Sequence, residues 1–191
     1  MRATWTFPAL LCMAILAIGG CSQPTARASK PVAVTVEDGS RFPAALAGRW
    51  KADRHGWEFV LGPDGQIASA IISLGRVQVL PGQATTRSTK DGDQAIFTPG
   101  PWAVDYDPVN STLTIKIAME SVHVPMGAHT LEGSSTDVFT GVVSPTMDTW
   151  QAQWTTLAAY KAITPDGKST DLSTDQTYGE TQPLVFTKTM E

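Results

Sequence analysis

The sequence predicts an all-β fold: an antiparallel up-and-down barrel or half-barrel of about eight to ten strands. Two observations predict it. From Gly48 onward, apolar side chains alternate with polar ones at the period of a half-buried strand. Short stretches rich in Gly, Pro, Asn and Asp separate these segments and are typical of turns between antiparallel strands. A meander of this kind leaves two unpaired edges unless it rolls up, so a barrel is favoured over a two-sheet sandwich.

The predicted strands follow the alternation along the chain. Trp57, Phe59 and Leu61 share one face of the first strand, and a Gly-Pro-Asp-Gly turn at 62–65 leads into the next. In chain order, the predicted strands lie at 57–61, 67–74, 83–88, 94–98, 102–106, 113–119, 138–143, 150–160 and 184–188. Residues 31–36 are rich in Val and fit either an early strand or a flexible segment.

Composition limits the classes of protein that this chain fits. Of its 191 residues, 42% are hydrophobic, which suits a folded domain rather than a disordered chain. The length suits one domain. Only 17% of the residues are charged and the formal net charge is −4, which argues against a nucleic-acid-binding protein.

The N-terminal residues predict export and lipidation. Arg2 precedes an apolar run at 10–18, which is too short to anchor a helix across a bilayer. The run ends in Ile-Gly-Gly followed by Cys21. This order of charge, apolar run, small residues and Cys resembles the lipobox of bacterial lipoproteins. The resemblance implies that a signal peptide at 1–20 is removed and that the Cys21 thiol receives diacylglycerol, palmitate or a similar acyl group.

The same motif sets the expected organisation and location of the chain. Residues 21–45 are expected to form the lipidated Cys and a flexible tether, and residues 46–191 the β-barrel domain. Acyl chains on Cys21 would make a lipid membrane its first partner. Ser22 follows the Cys, which resembles the sorting signal for the outer membrane, so the expected location is the periplasmic side of that membrane.

A Gly-x-Trp motif opens the predicted barrel at Gly48-Arg49-Trp50. It resembles the first strand of lipocalins and of lipocalin-like bacterial lipoproteins, and the segment 139–154 is similar to hairpins of small bacterial barrels. The resemblance implies that Trp50 plugs one end of the barrel. It also implies that a cationic side chain packs over the Trp ring, with Lys188 as the expected cation and Arg49 or Arg54 as alternatives.

Aromatic side chains supply the predicted ligand-lining residues. An eight-stranded barrel either fills its interior with side chains or holds one small ligand. Small residues at 152, 156 and 158 alternate with large ones on the same face, which is compatible with either arrangement. If the interior holds a ligand, the expected lining residues are Trp57, Trp102, Tyr106, Trp150, Trp154 and Tyr160.

A second possible site combines Met119, His123, Met126 and His129. Thioether and imidazole groups suit soft copper ions. Counting in steps of two from Ile117 places Met119 and His123 on one face, so that His123 points inward or lies at the barrel mouth, with the other two in the following turn. The alternative interpretation is that both Met residues fill the core and both His residues lie at edges.

Motifs for catalysis and for organic cofactors are missing from the sequence. It contains no Gly-x-Ser-x-Gly, no His-Glu-x-x-His and no Gly-x-Gly-x-x-Gly. The expected function is therefore non-enzymatic: an envelope-anchored lipoprotein that binds a small apolar or amphipathic ligand and requires no cofactor. The alternatives are a solid-core structural or interaction module of the cell envelope and a copper-responsive binding protein.

Overall fold

A computed structural model describes residues 32–172 and 181–189. The predicted signal peptide at 1–20 and the predicted lipidation site at Cys21 lie outside these residues. The described part is almost entirely β-structure, with thirteen strands and two short 3-10 segments. It contains no helix that is both long and apolar enough to cross a membrane. The all-β prediction is confirmed.

The strands are numbered in chain order, and three of them are much longer than the rest. The long strands are β9, β10 and β11, each of 15 residues. The bounds are β1 Ala33–Val36, β2 Gly48–Ala52, β3 Glu58–Leu61, β4 Ile67–Ile72, β5 Val77–Val79, β6 Thr85–Ser88, β7 Gln94–Pro99, β8 Ala103–Asp107, β9 Thr112–Met126, β10 His129–Val143, β11 Thr149–Ile163, β12 Ser169–Asp171 and β13 Thr181–Thr189. The 3-10 segments are Ala44–Leu46 and Leu74–Arg76.

All thirteen strands belong to one curved sheet, in the order β1-β8-β9-β10-β11-β13-β2-β3-β4-β5. Two short strands, β8 and β7, pair with successive parts of β9, and β13 and β12 pair in the same way with β11. The predicted number of eight to ten strands is therefore too low, because β9 and β11 each face two short strands along one edge. Among the described residues the sheet does not close, so the fold is barrel-like rather than a closed barrel.

The position of β1 differs from two predictions: a tether over the whole of 21–45 and a purely antiparallel sheet. β1 pairs in parallel with β8, and Val32 just before it is buried. The Gln66 side chain also donates a hydrogen bond of 3.0 Å to the Val32 carbonyl. Residues 33–36 are thus part of the sheet, which agrees with the early-strand alternative for 31–36 and not with a tether over the whole of 21–45. No short turn joins β1 to β8, so the antiparallel rule for hairpins does not apply to this pair.

An irregularity in β9 changes which side chains face inward. Relative to both neighbouring strands, β9 contains one extra residue between Met119 and Val122. Leu113, Ile115, Ile117 and Met119 are buried before this β-bulge, whereas Val122 is buried after it. The inward positions therefore switch from odd to even numbers, as expected where a bulge adds a residue to one strand.

In one part of the core, large rings pack against each other. We call this set the aromatic cluster. Neighbouring rings in it lie between 4.7 and 6.4 Å apart, centre to centre. Its members are Trp57, Phe59, Phe139, Trp150, Trp154 and Phe186. Such packing leaves no room for a ligand between these rings.

Trp50 is fully buried next to the 3-10 segment that precedes β2. Its indole N–H donates a hydrogen bond of 2.9 Å to the Leu46 carbonyl. Lys188 is its register partner on β13, and the ammonium nitrogen lies 5.8 Å from the centre of the Trp50 ring. The same ammonium donates a hydrogen bond to the Ala45 carbonyl. This contact joins the last described strand to the start of β2.

Candidate functional site

A cavity of about 340 Å³ lies on the inner side of the sheet, next to the aromatic cluster. We call it the pocket. It is bordered by the end of β4 and the turn after it, and by the middle parts of β9, β10 and β11. Most of its wall is apolar, and one wall residue is a carboxylic acid. The lining residues are Trp57, Ile72, Ser73, Leu74, Met119, Val122, Ser135, Asp137, Trp154, Thr156 and Tyr160.

Strand periodicity explains how these side chains come together. On β11, Trp154, Thr156 and Tyr160 are separated by even numbers of residues, so all three point to one face. On β10, Asp137 shares the inner face with the buried Phe139. The bulge in β9 brings Met119 and Val122, three residues apart, to the same wall.

Asp137 is the buried carboxylic acid of the pocket, with only 6% of the residue exposed. Its Oδ1 accepts a hydrogen bond of 2.9 Å from the Trp154 indole N–H and a second one from the Thr156 hydroxyl. Its Oδ2 receives only a long contact of 3.5 Å from the Ser135 hydroxyl. Burial raises the pKa of the Asp137 carboxyl above its ordinary value, although these three donors act in the opposite direction.

Two aromatic side chains in the wall of the pocket also carry polar groups: the Tyr160 hydroxyl and the Trp57 indole N–H. Burial raises the pKa of the Tyr160 hydroxyl, and the negative charge of Asp137 adds to this effect. The Trp57 indole N–H is buried and has no hydrogen-bond acceptor among the described residues. Outside the wall, the imidazole of His55 lies 5.0 Å from the centre of the Trp154 ring. The pocket therefore combines ring surfaces with a single acidic group.

The turn that borders the pocket is held in place by charged side chains. Arg76, two residues after Leu74, lies 3.1 Å from the largely buried carboxylate of Glu58. Arg87 on β6 donates hydrogen bonds to the carbonyls of Gly75 and Arg76. These contacts hold the turn with its Ser73 and Leu74 side chains against the sheet.

Only half of the predicted lining residues reach the pocket. Trp57, Trp154 and Tyr160 lie in its wall. Trp150 packs in the aromatic cluster, at 4.7 Å from the Phe186 ring. The other two predicted lining residues, Trp102 and Tyr106, are buried elsewhere: the Trp102 indole donates to the Ala118 carbonyl, and Tyr106 packs edge-on against Phe42.

The residues of the predicted copper site are not brought together. The expectation that His123 shares the inner face with Met119 is wrong, because the bulge between them shifts the alternation. His123 instead contacts the Glu132 carboxylate at 3.1 Å on the outer face. Met126 and His129 pair at the exposed end of the β9–β10 hairpin. Within the described residues, no group of three or more His, Cys, Asp or Glu side chains is placed to hold a metal ion.

Sequence reasoning missed Asp137, although a signal was present. Asp137 stands two residues before Phe139, so an alternating strand places both side chains on the same face. An acidic residue in phase with a buried ring is unusual, because burial of a carboxylate is unfavourable without a partner. The predicted strand began only at residue 138, one residue too late to include it.

Comparisons with known protein families, with curated proteins and with solved structures found no match to this chain. The function of the pocket therefore has to be inferred from its own residues.

Replacing Asp137 with Asn is expected to stabilise the protein at pH 8. The amide oxygen can still accept the hydrogen bonds from Trp154 and Thr156, whereas the buried negative charge is removed. Because the pKa of Asp137 is raised in the folded state, the wild type loses stability as pH rises through that pKa. The Asn variant escapes this loss, so its advantage in melting temperature should shrink as pH falls through the raised pKa of Asp137 towards the ordinary carboxyl pKa of about 4.

Asp148→Asn is the control, with the opposite sign. Hydrogen bonds from Thr146 and Ser144 lower the pKa of this exposed carboxyl, so its contribution to stability is present at neutral pH and is lost on acidification. This variant should therefore melt at a lower temperature than wild type at pH 8, and the difference should shrink at acidic pH. An Asp137→Asn variant that is less stable than wild type at pH 8 would contradict the first prediction.

Proposed function

We propose that this chain is a non-enzymatic lipoprotein whose barrel-like domain binds a small apolar or amphipathic ligand. The observation that carries the proposal is the cavity of about 340 Å³ on the inner side of the sheet. Cavities of a few hundred Å³ with a mainly apolar wall and few polar groups are typical of small-molecule sites. Ile72, Met119 and Val122 supply apolar wall, and Asp137 supplies a polar contact.

The aromatic cluster beside the pocket supports the proposed ligand binding. Trp57 and Trp154 belong both to the aromatic cluster and to the wall of the pocket. Their rings are thus held by close packing on one side and border the cavity on the other. A preformed wall of this kind reduces the ordering that ligand binding requires. It also places two indole rings where a bound ligand would change their fluorescence.

The proposed location is the bacterial cell envelope, and nucleic acid is not a proposed partner. The Ile-Gly-Gly-Cys sequence that ends at Cys21 supports acylation and attachment to a lipid membrane, and Ser22 supports the periplasmic side of the outer membrane. The formal net charge of −4 supports the exclusion of nucleic acid as a partner. In this arrangement the domain would take up its ligand close to the membrane surface.

A solid-core structural or interaction module of the envelope is the second proposal. The tight packing of the aromatic cluster, where the Trp150 and Phe186 rings are stacked, favours it. In such a module the pocket would be a packing defect without a ligand. Saturable binding of a small apolar probe distinguishes the two proposals.

The test compares two Val→Phe variants in a chain that carries Cys21→Ser, so that acyl chains do not interfere. Val122→Phe adds bulk to the pocket wall, whereas Val142→Phe adds it on the outer face, where Val142 is 54% exposed. N-phenyl-1-naphthylamine should bind the parent chain saturably and quench its Trp fluorescence. Val122→Phe should weaken binding roughly tenfold or more, and Val142→Phe should leave it unchanged.

Near-UV circular dichroism checks that both variants keep the packed core. Absence of saturable binding to the parent chain would refute the ligand-binding proposal and favour the solid-core module. Equal binding to the parent and to the folded Val122→Phe variant would show that the probe binds elsewhere than in the pocket.

A further inference from the structure

We infer that the pocket selects an organic cation: an amphipathic amine whose charged nitrogen pairs with Asp137 Oδ2 and whose apolar part lies against the pocket rings. This inference rests on the proposed ligand-binding function and names the ligand class of the same pocket. It follows from the hydrogen bonds of the carboxyl group, the charges around it and the nature of the remaining wall.

The two oxygens of Asp137 differ in the hydrogen bonds that they receive. Oδ1 accepts from both the Trp154 indole and the Thr156 hydroxyl. Oδ2 receives only the 3.5 Å contact from Ser135, which is long for a hydrogen bond between oxygens. An ionised carboxylate has about four lone-pair sites, so Oδ2 retains acceptor capacity. A donor in the pocket is therefore the partner that this oxygen lacks.

Within residues 32–172 and 181–189, Asp137 forms no ion pair with a Lys, Arg or His side chain. The lining residues of the pocket include no Lys, Arg or His. Two other acidic side chains do have basic partners: Glu58 lies beside Arg49 and Arg76, and Glu132 beside His123 and Lys161. Because buried charges are normally paired, a carboxylate with donors but no cation is matched by a ligand that brings its own positive charge.

The wall around Asp137 suits the rest of such a ligand. The rings of Trp57, Trp154 and Tyr160 line the same cavity, and the faces of aromatic rings attract ammonium groups. Ile72 and Leu74 offer apolar surface to a hydrocarbon part. A ligand with a carboxylate head would instead meet a like charge and would raise the pKa of Asp137 further. A ligand with an uncharged head could bind only with ordinary hydrogen bonds.

The expected preference for a cationic head group is tested with three compounds that share one carbon skeleton: 4-phenylbutylamine, 4-phenylbutanol and 4-phenylbutyrate. Each is titrated at pH 8 against the Cys21→Ser chain loaded with N-phenyl-1-naphthylamine, and probe displacement gives the affinity. The amine should bind roughly tenfold or more tightly than the alcohol, and the acid most weakly. Asp137→Asn should reduce amine affinity to that of the alcohol and leave alcohol affinity nearly unchanged.

The pH dependence of amine affinity gives a second, independent measurement. Amine affinity of the parent chain should fall as the solution is acidified, because a protonated Asp137 no longer attracts the cation. His55 contacts the Trp154 ring, and the Tyr160 hydroxyl is the other titratable group in the wall. Any effect of these two groups should persist in Asp137→Asn, whereas the Asp137 effect should vanish there.

The possible outcomes separate this inference from the proposed function. If the probe binds but the alcohol or the acid displaces it as well as the amine does, the cation inference is overturned and ligand binding stands. The same holds if Asp137→Asn keeps the amine preference. If neither the probe nor any of the three compounds binds, both proposals fail. Amine preference that is lost in Asp137→Asn supports the inference.

Discussion

Replacing Phe139 with Ala is expected to lower the free energy of unfolding by about 4 kcal/mol. Phe139 is fully buried at the centre of the aromatic cluster. Truncation removes the transfer energy of a whole ring and leaves a cavity that rigid neighbouring rings cannot fill by small movements. The neighbouring rings belong to Trp57, Phe59, Trp150, Trp154 and Phe186.

Urea denaturation followed by Trp fluorescence measures this loss. Val142→Ala is the matched control, because Val142 lies on the same strand but on the outer face. Its effect should stay within about 0.5 kcal/mol. A loss below about 1 kcal/mol for Phe139→Ala would show that the ring is not part of a close-packed core.

Alternation along the chain predicted several of the strands that have one buried face. The segment 150–160 shows it most clearly: Trp150 and Ala152 are buried, whereas Gln151 and Gln153 are exposed. The observed strand β11 contains this whole segment. Alternation also predicted that Trp57 and Trp102 face the interior. It did not show which buried rings pack together and which border a cavity, because both environments select the same residue types.

The phase shift in β9 shows why a local pattern fails over a long strand. Two consecutive exposed residues, Glu120 and Ser121, are the trace that the bulge leaves in the sequence. Strict counting from Ile117 through them assigns His123 to the wrong face. The bulge is defined by pairing with two neighbouring strands, so it depends on contacts that no short window of sequence contains.

Pairing between distant segments was also beyond the sequence pattern. Residues 33–36 have the composition of a strand, but the sequence does not specify a partner. In the structure they pair in parallel with β8, about seventy residues later in the chain. By contrast, the position of Asp137 on an inner face follows from its spacing to Phe139. A search for acidic residues in phase with buried rings would have found it.

The pocket and the aromatic cluster meet at Trp154, and this links stability to the proposed binding. The Trp154 ring stacks on Phe139 at 6.2 Å, while its indole N–H donates to the Asp137 carboxylate. The cluster thereby fixes the donor that orients the carboxyl group. A buried carboxylate without a basic partner destabilises the folded chain, and a cationic ligand would remove that penalty. Amine binding should therefore also raise the melting temperature.

Gly141→Ala is the second substitution for which we expect a large loss of stability, of about 3 kcal/mol. A Cβ atom at this position would lie 2.7 Å from the Ala152 Cα atom and even closer to the Gln151 carbonyl oxygen. Both atoms belong to the backbone of β11, so the clash cannot be relieved by rotation of a side chain. The two long strands would have to separate where Gly141 also accepts the Trp150 indole hydrogen bond, 3.2 Å long.

Gly127→Ala separates this clash from the general effect of replacing a glycine. Gly127 has a φ of +61° in the β9–β10 turn, and no atom lies within 4 Å of its added Cβ. Left-handed strain alone should lower the free energy of unfolding by about 1 kcal/mol there. Denaturant melts of both variants measure the difference. If Gly141→Ala is no more destabilising than Gly127→Ala, the close approach of β10 and β11 at this point is not required for folding.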